Sequence, residues 1–294
     1  MKKRLCIYHG NCIDGFTAAW VIKQFSIESG LPFDFFPGVY RDDPPEIKEY
    51  EEVYLVDFSY KRAVMETLLK EDIPIYIIDH HKSAIADLDG LKEQYPKLTT
   101  YFDIERSGAM LTWDWFFTDL SKPPLIGYVQ DRDLWQYKLI NSKEVNAAIF
   151  SYEYSFANWD KLVKSKIGDL VAEGEPIIRK HFKDVKELLA VCQREMNIDG
   201  LDIPVASLPY TLSSDAGHIM AAEEGVPYAA CYWDTPKHRE FSLRSSPNGL
   251  DVSEIAVAYG GGGHKHASGF HITFAEMAEM PGYGHTWLKK KSAT

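Results

Sequence analysis

The chain has 294 residues, 45% hydrophobic and 26% charged, proportions that allow a sizeable buried core and exclude a disordered polymer. A formal net charge of -11 argues against coating long duplex nucleic acid, which leans on a basic face, but leaves room for a local phosphate site. Four scattered cysteines with no C-x-x-C pair indicate neither a disulfide framework nor a zinc knuckle, and a reducing cytoplasm is the expected setting.

The N-terminus is basic, but few apolar residues follow before His9, so no signal peptide is expected. Nor does any apolar run approach the roughly 20 residues that span a bilayer, and no membrane partner is expected. Leu5 to Tyr8 reads as a first strand, ending on His9-Gly10-Asn11-Cys12-Ile13-Asp14-Gly15. Ala18, Val21, Ile22 and Phe25 then recur at helical spacing, which predicts a helix that buries one face. Phe33 to Phe36 is a second short strand, and Arg41 to Glu52 a charged, proline-bearing connection. Val53 to Val56 is a third apolar run that stops on Asp57, and Met65, Leu68 and Leu69 mark the next helix. Ile75-Tyr-Ile-Ile is the composition of a strand buried in a parallel sheet, and it stops on Asp79-His80-His81. Charge does not continue into a core without partners, and in open α/β sheets ligands sit at the carboxyl ends of strands.

Leu98 to Phe102 is a further strand, and Ser107-Gly108-Ala109 enters an aromatic-rich helix. Its Trp113, Trp115, Phe116 and Phe117 read as core rather than as a base-stacking platform. Pro123-Pro124 restarts the chain into Ile126 to Gln130, closed by Asp131-Arg132-Asp133. From Ile167 a helical period runs to Leu189, with Pro176 expected to kink or split it, and His181 reads as a packed helix residue. Three regions follow: 1–160, a helical connector 161–199, and 200–294, with the boundary near Asn197 to Gly200. In the last, Ile203 to Ser207 and Tyr228 to Trp233 read as strands around a helix begun near Ser213-Ser214-Asp215. Glu240 to Arg244 alternates like a half-buried strand, and Asp251 opens a helix that runs into Gly260-Gly261-Gly262-Gly263-His264. Phe270 to Phe274 returns as a strand, His266 and His271 follow the glycine motif into the sheet, and Lys289-Lys290-Lys291 is read as a solvated tail.

Collected by element ends, the chemistry-bearing residues are His9, Cys12, Asp14, Asp57, His80, His81 and Asp131. Mixed carboxylate and imidazole donors suit hard or borderline divalent ions such as Mn²⁺, with Mg²⁺ as the second candidate. Several carboxylates in one crevice repel each other unless cations sit among them, and a pair of ions resolves that repulsion.

Asp79-His80-His81 after an apolar strand, His9-x-x-Cys12-x-Asp14-Gly15 after the first strand, Asp57 after the third, and Gly261-Gly262-Gly263-His264 far downstream follow one another in order. Together they resemble the DHH phosphoesterase superfamily with its DHH-associated C-terminal domain, which includes the oligoribonuclease and RecJ-like phosphodiesterases. The resemblance implies an α/β fold: an N-terminal parallel-sheet sandwich with helices on both faces, the helical connector, and a smaller C-terminal α/β domain. It implies that residues 1–160 bind metal and 200–294 bind substrate. His9 would hold one ion, Asp14, His80 and Asp131 the other, and Asp57 would bridge them. His81 would act beside the second ion, Asp79 would orient a histidine, and Asp57, His80 and His81 would be catalytic. Arg244, Gly262, Gly263 and His264 would grip the phosphate. Asp133 competes with Asp131, and Asp131 is preferred because Gly127 to Asp131 fits the family pattern better. Cys12 stands where many relatives have an acid, and either ligates as thiolate or fills a small space. The implied activity is hydroxide attack on phosphorus in a short single-stranded oligonucleotide or small nucleotide. A phosphoanhydride hydrolase for polyphosphate or pyrophosphate, and a nucleotide-binding regulatory protein with a weakened site, are the alternatives. A homodimer is compatible with all three.

Overall fold

A computed structural model describes residues 3–40, 42–118, 120–279 and 287–288. The chain divides into two units, 1–178 and 179–294. The first is built on five parallel strands: β1 (Arg4–His9), β2 (Phe33–Gly38), β3 (Val53–Val56), β4 (Ile75–Asp79) and β5 (Leu98–Phe102). Their order is β2-β1-β3-β4-β5, so the chain reverses its direction of build between β1 and β3. That switch point opens a crevice at the carboxyl ends of the strands. His9 ends one of its walls and Asp57 follows the other.

Alternate residues of each strand feed different cores, which is why the strands read as continuous apolar runs. Cys6, Tyr54, Val56 and Ile78 face α1 (Ile13–Ser29), α5 (Gly108–Phe116), α6 (Pro124–Asp133), α7 (Ser142–Phe150) and α8 (Phe156–Leu162). Leu5, Ile7, Val53, Leu55, Ile75 and Ile77 face α2 (Arg62–Leu69) and α4 (Leu91–Gln94), with the short α3 (Lys82–Asp87) between those two in the chain. The amphipathic reading of α1 needs one correction: Ile13 to Ile22 are all buried, because the sheet, α5 and α8 enclose its first half on every side. Buried Thr17 is satisfied there, accepting from Trp159 Nε1 at 3.0 Å and donating to Ile13 O at 2.7 Å. Trp113 and Phe117 are core as expected, whereas Trp115 is 36% exposed and packs edgewise on Tyr76 and at a tilt on Tyr101. The run from Ile126 to Gln130 is helical within α6, entered by Pro124, whose fixed φ and missing N–H suit a first turn.

The unit boundary falls inside α9 (Ile167–Cys192), which continues through Pro176. In the second unit β6 (Gln193–Ile198) and β7 (Leu201–Ser207) form a hairpin. Its Asp199-Gly200 turn has positive φ at both residues, the geometry that matches strand twist. The stretch read as a boundary is therefore a tight turn within one sheet. After α10 (Tyr210–Ala221) come β8 (Ala229–Asp234), β9 (His238–Arg244), α11 (Val252–Ala258), β10 (Gly262–His264), β11 (Ala267–Thr273), α12 (Phe274–Glu279) and β12 (Trp287–Leu288). They make a mixed seven-stranded sheet in the order β10-β11-β9-β8-β7-β6-β12. Phe241, Leu243, Phe270 and Ile272 bury one face together with Val252 and Ile255 of α11. Asp251 caps α11 through Ser253 N. Among the described residues no helix is long and apolar enough to cross a membrane. Lys289-Lys290-Lys291 lies outside the described residues.

Trp159 is fully buried and tied to α1, so Trp159→Ala removes both packing and the Thr17 contact. A loss of about 3–5 kcal/mol is expected, read as a lower urea midpoint for the first unit.

Candidate metal centre

The left-handed backbone of Asp57, φ 53°, turns the chain sharply at the end of β3. A non-glycine residue there is uncommon, and Asp tolerates it better than most. Asp57 is 1% exposed, Asp14 and Asp79 are fully buried, and His80 is 1% exposed. Four ionisable side chains are thus withdrawn from water at one crevice, an arrangement that stands only if charges compensate.

Two glycines bring the walls close enough. A side chain at Gly15 would overlap the His9 carbonyl, and one at Gly108 would overlap Asp57. With Gly108 bare, the N-terminus of α5 reaches Asp14, whose Oδ2 accepts from Gly108 N at 2.6 Å and Oδ1 from Ala109 N at 3.1 Å. The helix end supplies orphan donors and partial positive charge.

Around this frame the donor atoms fall into two groups. His9, Cys12 and Asp57 place ligand atoms within 4.8 Å of one another, and so do Asp14, His80 and Asp133. Asp57 touches both groups, with Oδ2 3.5 Å from His9 Nδ1 and Oδ1 3.1 Å from His80 Nε2. His80 Nε2 also lies 3.9 Å from Asp14 Oδ2 and 3.5 Å from Asp133 Oδ2. Both Asp57 oxygens, His9 Nδ1 and Asp133 Oδ2 are buried yet make no hydrogen bond of good geometry among the described residues.

The electrostatics follow from this crowding. Burial, reinforced by Asp57 and Asp133, holds the Asp14 carboxyl well above the usual range. Burial likewise raises Asp133. It also opposes ionisation of Asp57, but contacts with His80 and His9 outweigh it and hold that carboxyl well below its usual value. Burial works against a charged His80 too, and Asp133, Asp57 and Asp14 overcome it, lifting the imidazole to about 10. The carboxylates draw positive charge onto the imidazole that meets all three. A divalent ion supplies that charge more fully and frees His80 Nε2 to ligate, so the donor set fits metal.

Asp79 belongs to a different layer. Its Oδ2 accepts from Ser59 Oγ at 2.6 Å and its Oδ1 from His80 N at 2.7 Å. Oδ1 also meets His81 Nδ1 at 2.6 Å. A carboxylate only accepts, so Nδ1 carries the hydrogen and His81 is held in one orientation. Burial would lower His81, but Asp79 outweighs it and raises the pKa.

Asp131 and Asp133 exchange places relative to the sequence preference. Asp131 Oδ1 and Oδ2 accept from Lys138 N and Leu139 N at 2.8 and 3.1 Å, closing the turn after α6. Asp133 is the residue beside His80. Residues two apart on a helix point to different sides, so once 124–133 is helical only one of the pair reaches the crevice. Cys12, at the N-cap of α1, is in the His9 group, and burial followed by the charges of Asp57, Asp133 and Asp14 raises its thiol well above the usual value.

In the second unit the register supplies its own pattern. Arg244 on β9, Ala267 on β11 and His264 on β10 form one row of directly opposed residues. They share a face, with Arg244 and His264 about 10 Å apart across two strand spacings. The next row is Ser242, Gly269 and Gly262, a floor with almost no side chains. The Arg244 guanidinium is held by Ser242 Oγ at 3.0 Å, Leu243 O at 2.8 Å and Ser214 Oγ at 3.3 Å.

If this donor set holds metal, Mn²⁺ is expected to raise the melting temperature and Asp133→Asn to abolish that rise. Asp131→Asn should keep that rise while costing about 1–3 kcal/mol of stability through the one turn amide left without an acceptor. Thermal denaturation of both variants with Mn²⁺ or EDTA checks the assignment.

No family model matches the chain. Uncharacterized protein R106 of Acanthamoeba polyphaga mimivirus is 28% identical over 285 residues, or 90% of this chain, which spans 66% of that relative's length. Among solved structures, RecJ from Thermus thermophilus in complex with Mn²⁺ aligns with a TM-score of 0.52 at 16% identity, covering 93% of this chain and 50% of that one. An exopolyphosphatase-related protein from Bacteroides fragilis aligns at 0.51 and 14% identity, covering 92% and 87%. CDC45 from Entamoeba histolytica aligns at 0.53 and 10% identity, covering 95% and 94%. With the motifs in order along the sequence and these neighbours in structure, the chain has the fold of the DHH phosphoesterase superfamily.

Proposed function

We propose that the chain is a divalent-metal-dependent phosphodiester hydrolase acting on short single-stranded oligonucleotides or small nucleotides, with Mn²⁺ as the preferred ion. The observation that carries this reading is Asp57, buried and in contact with both donor groups through its two oxygens. That is the role of a residue shared by two cations. His9, Cys12 and Asp57 would hold one ion, and Asp14, His80, Asp133 and Asp57 the other. When bound, such a pair neutralises the phosphate and lowers the pKa of water for attack on phosphorus.

The chain's own residues supply the remaining steps. Asp14, fixed on two amides of α5, cannot swing away from its group. His81, with Nδ1 committed to Asp79, presents Nε2 to hold a proton for the leaving oxygen. Arg244 offers a guanidinium and Gly262 to His264 offer close backbone approach, so both grip a substrate phosphate. On this reading the first unit, residues 1–178, carries the metal and the second, 179–294, binds the substrate. The acidic balance of the chain favours a short substrate over long duplex nucleic acid.

The test is a panel of short RNAs and DNAs, cyclic dinucleotides, adenosine bisphosphate and polyphosphate, assayed with the full chain and Mn²⁺ or Mg²⁺. Release of nucleoside monophosphate supports the proposal. Orthophosphate from polyphosphate alone would move the activity to phosphoanhydrides, and no multiple turnover with any ion would leave the binding-protein reading. Asp57→Asn should remove hydrolysis. Asp79→Asn, acting through His81, should lower metal affinity or kcat by about 10–100-fold, checked by Mn²⁺ titration alongside the rate.

A further inference from the structure

The sheet of the second unit carries a group of ligating atoms that takes no part in the reading above. His238 and Glu240 are two apart on β9 and therefore share a face, and His271 on β11 stands directly opposite Glu240. His238 Nε2 is 2.7 Å from Glu240 Oε1, and His271 Nδ1 is 3.6 Å from the same oxygen. The two imidazoles stack with centroids 4.2 Å apart and planes 20° from parallel. Their side chains are 23%, 31% and 21% exposed for His238, Glu240 and His271, so water and ions reach them.

We propose that His238, Glu240 and His271 form a binding site for a borderline divalent transition ion of the zinc type, made from no residue of the N-terminal centre. A carboxylate that pairs with one histidine gains little from a second against the same oxygen. If both rings were protonated, their charges would repel at stacking distance. Two neutral imidazoles and one carboxylate turned on a common cation remove that conflict. Two nitrogens and one oxygen select zinc-like ions over Mg²⁺ or Ca²⁺, which take oxygen ligands. Zinc bonds of about 2.0–2.2 Å in tetrahedral geometry put ligand atoms about 3.3 Å apart. The spacings of 2.7 and 3.6 Å straddle that value. Three protein ligands leave a fourth position open to water. Because the ligands come from paired strands, the sheet holds them in place without a loop. Glu240 also lies on the same face as Ser242 and Arg244, two and four residues along β9, so an ion there adds positive charge to that face.

Full-length protein stripped of metal and dialysed against buffered free Zn²⁺ tests the proposal by counting zinc with mass spectrometry. The His238→Gln, His271→Gln double variant is expected to bind about one zinc ion fewer per chain than wild type. Glu240→Gln keeps the shape of the sheet and is expected to weaken the same equivalent at least on the order of tenfold. Co²⁺ absorption in place of zinc should fall by the contribution of about one ion per chain in both. Equal zinc stoichiometry and affinity in wild type and Glu240→Gln would overturn the site, even if the double variant failed to fold. The Mn²⁺-dependent melting shift of the N-terminal centre should be unchanged in Glu240→Gln, so its loss would be a separate event.

Discussion

The candidate metal centre of the first unit depends on one electrostatic conflict, the crowding of buried Asp14 and Asp57 and half-buried Asp133 around the imidazole of His80. Three carboxylates this close, two of them fully withdrawn from water, cannot all ionise without added positive charge. The protein moves part of the answer into the backbone, giving Asp14 two amides at the head of α5 and nothing comparable to Asp57. Asp57 therefore relies on the imidazoles of His80 and His9 instead of on backbone amides, and it stands at the switch point of the sheet, where the crevice is opened by topology.

The local sequence serves that arrangement at a cost in ordinary stability. Glycines at 15 and 108 give up helix propensity so that His9 and Asp57 can be approached closely. Asp57 adopts a left-handed conformation that most residues avoid. Asp79 spends all its hydrogen-bonding capacity on Ser59 and the two following residues, and touches neither His9 nor Asp14 through any bond described above. A core designed for stability alone would have no use for these choices.

Much of this was readable from residues. Strands buried on both faces announce themselves as unbroken apolar runs, so β1, β3 and β4 and the polar groups at their ends were legible, with His9, Asp57 and His80 among them. What was not legible depended on helix phase. Asp131 and Asp133 look equivalent as letters, and on a strand they would share a face. Only the helical assignment of 124–133 sends one to the crevice and the other to the amides of Lys138 and Leu139. The Asn197 to Gly200 stretch misled for a related reason: a polar Asp-Gly pair reads alike as a linker and as a hairpin turn, and pairing between β6 and β7 decides which. The closeness of His238, Glu240 and His271 was hidden because β9 and β11 lie far apart in sequence, and register alone makes them neighbours.

Cys12 is where the family pattern and the physics of this chain part. An acid at that position would add a fourth buried negative charge to a crevice already overloaded, whereas a thiol can stay neutral until a cation arrives. Burial and the surrounding carboxylates keep its proton on, and a bound ion would have to displace it. The His9 group thus has lower standing charge and a softer donor than an all-acid version. Softer donors favour borderline ions over Mg²⁺. A thiol in place of an acid reduces the repulsion felt by Asp57, and an ion held by His9, Cys12 and Asp57 would depend on a sulfur that oxidation can remove.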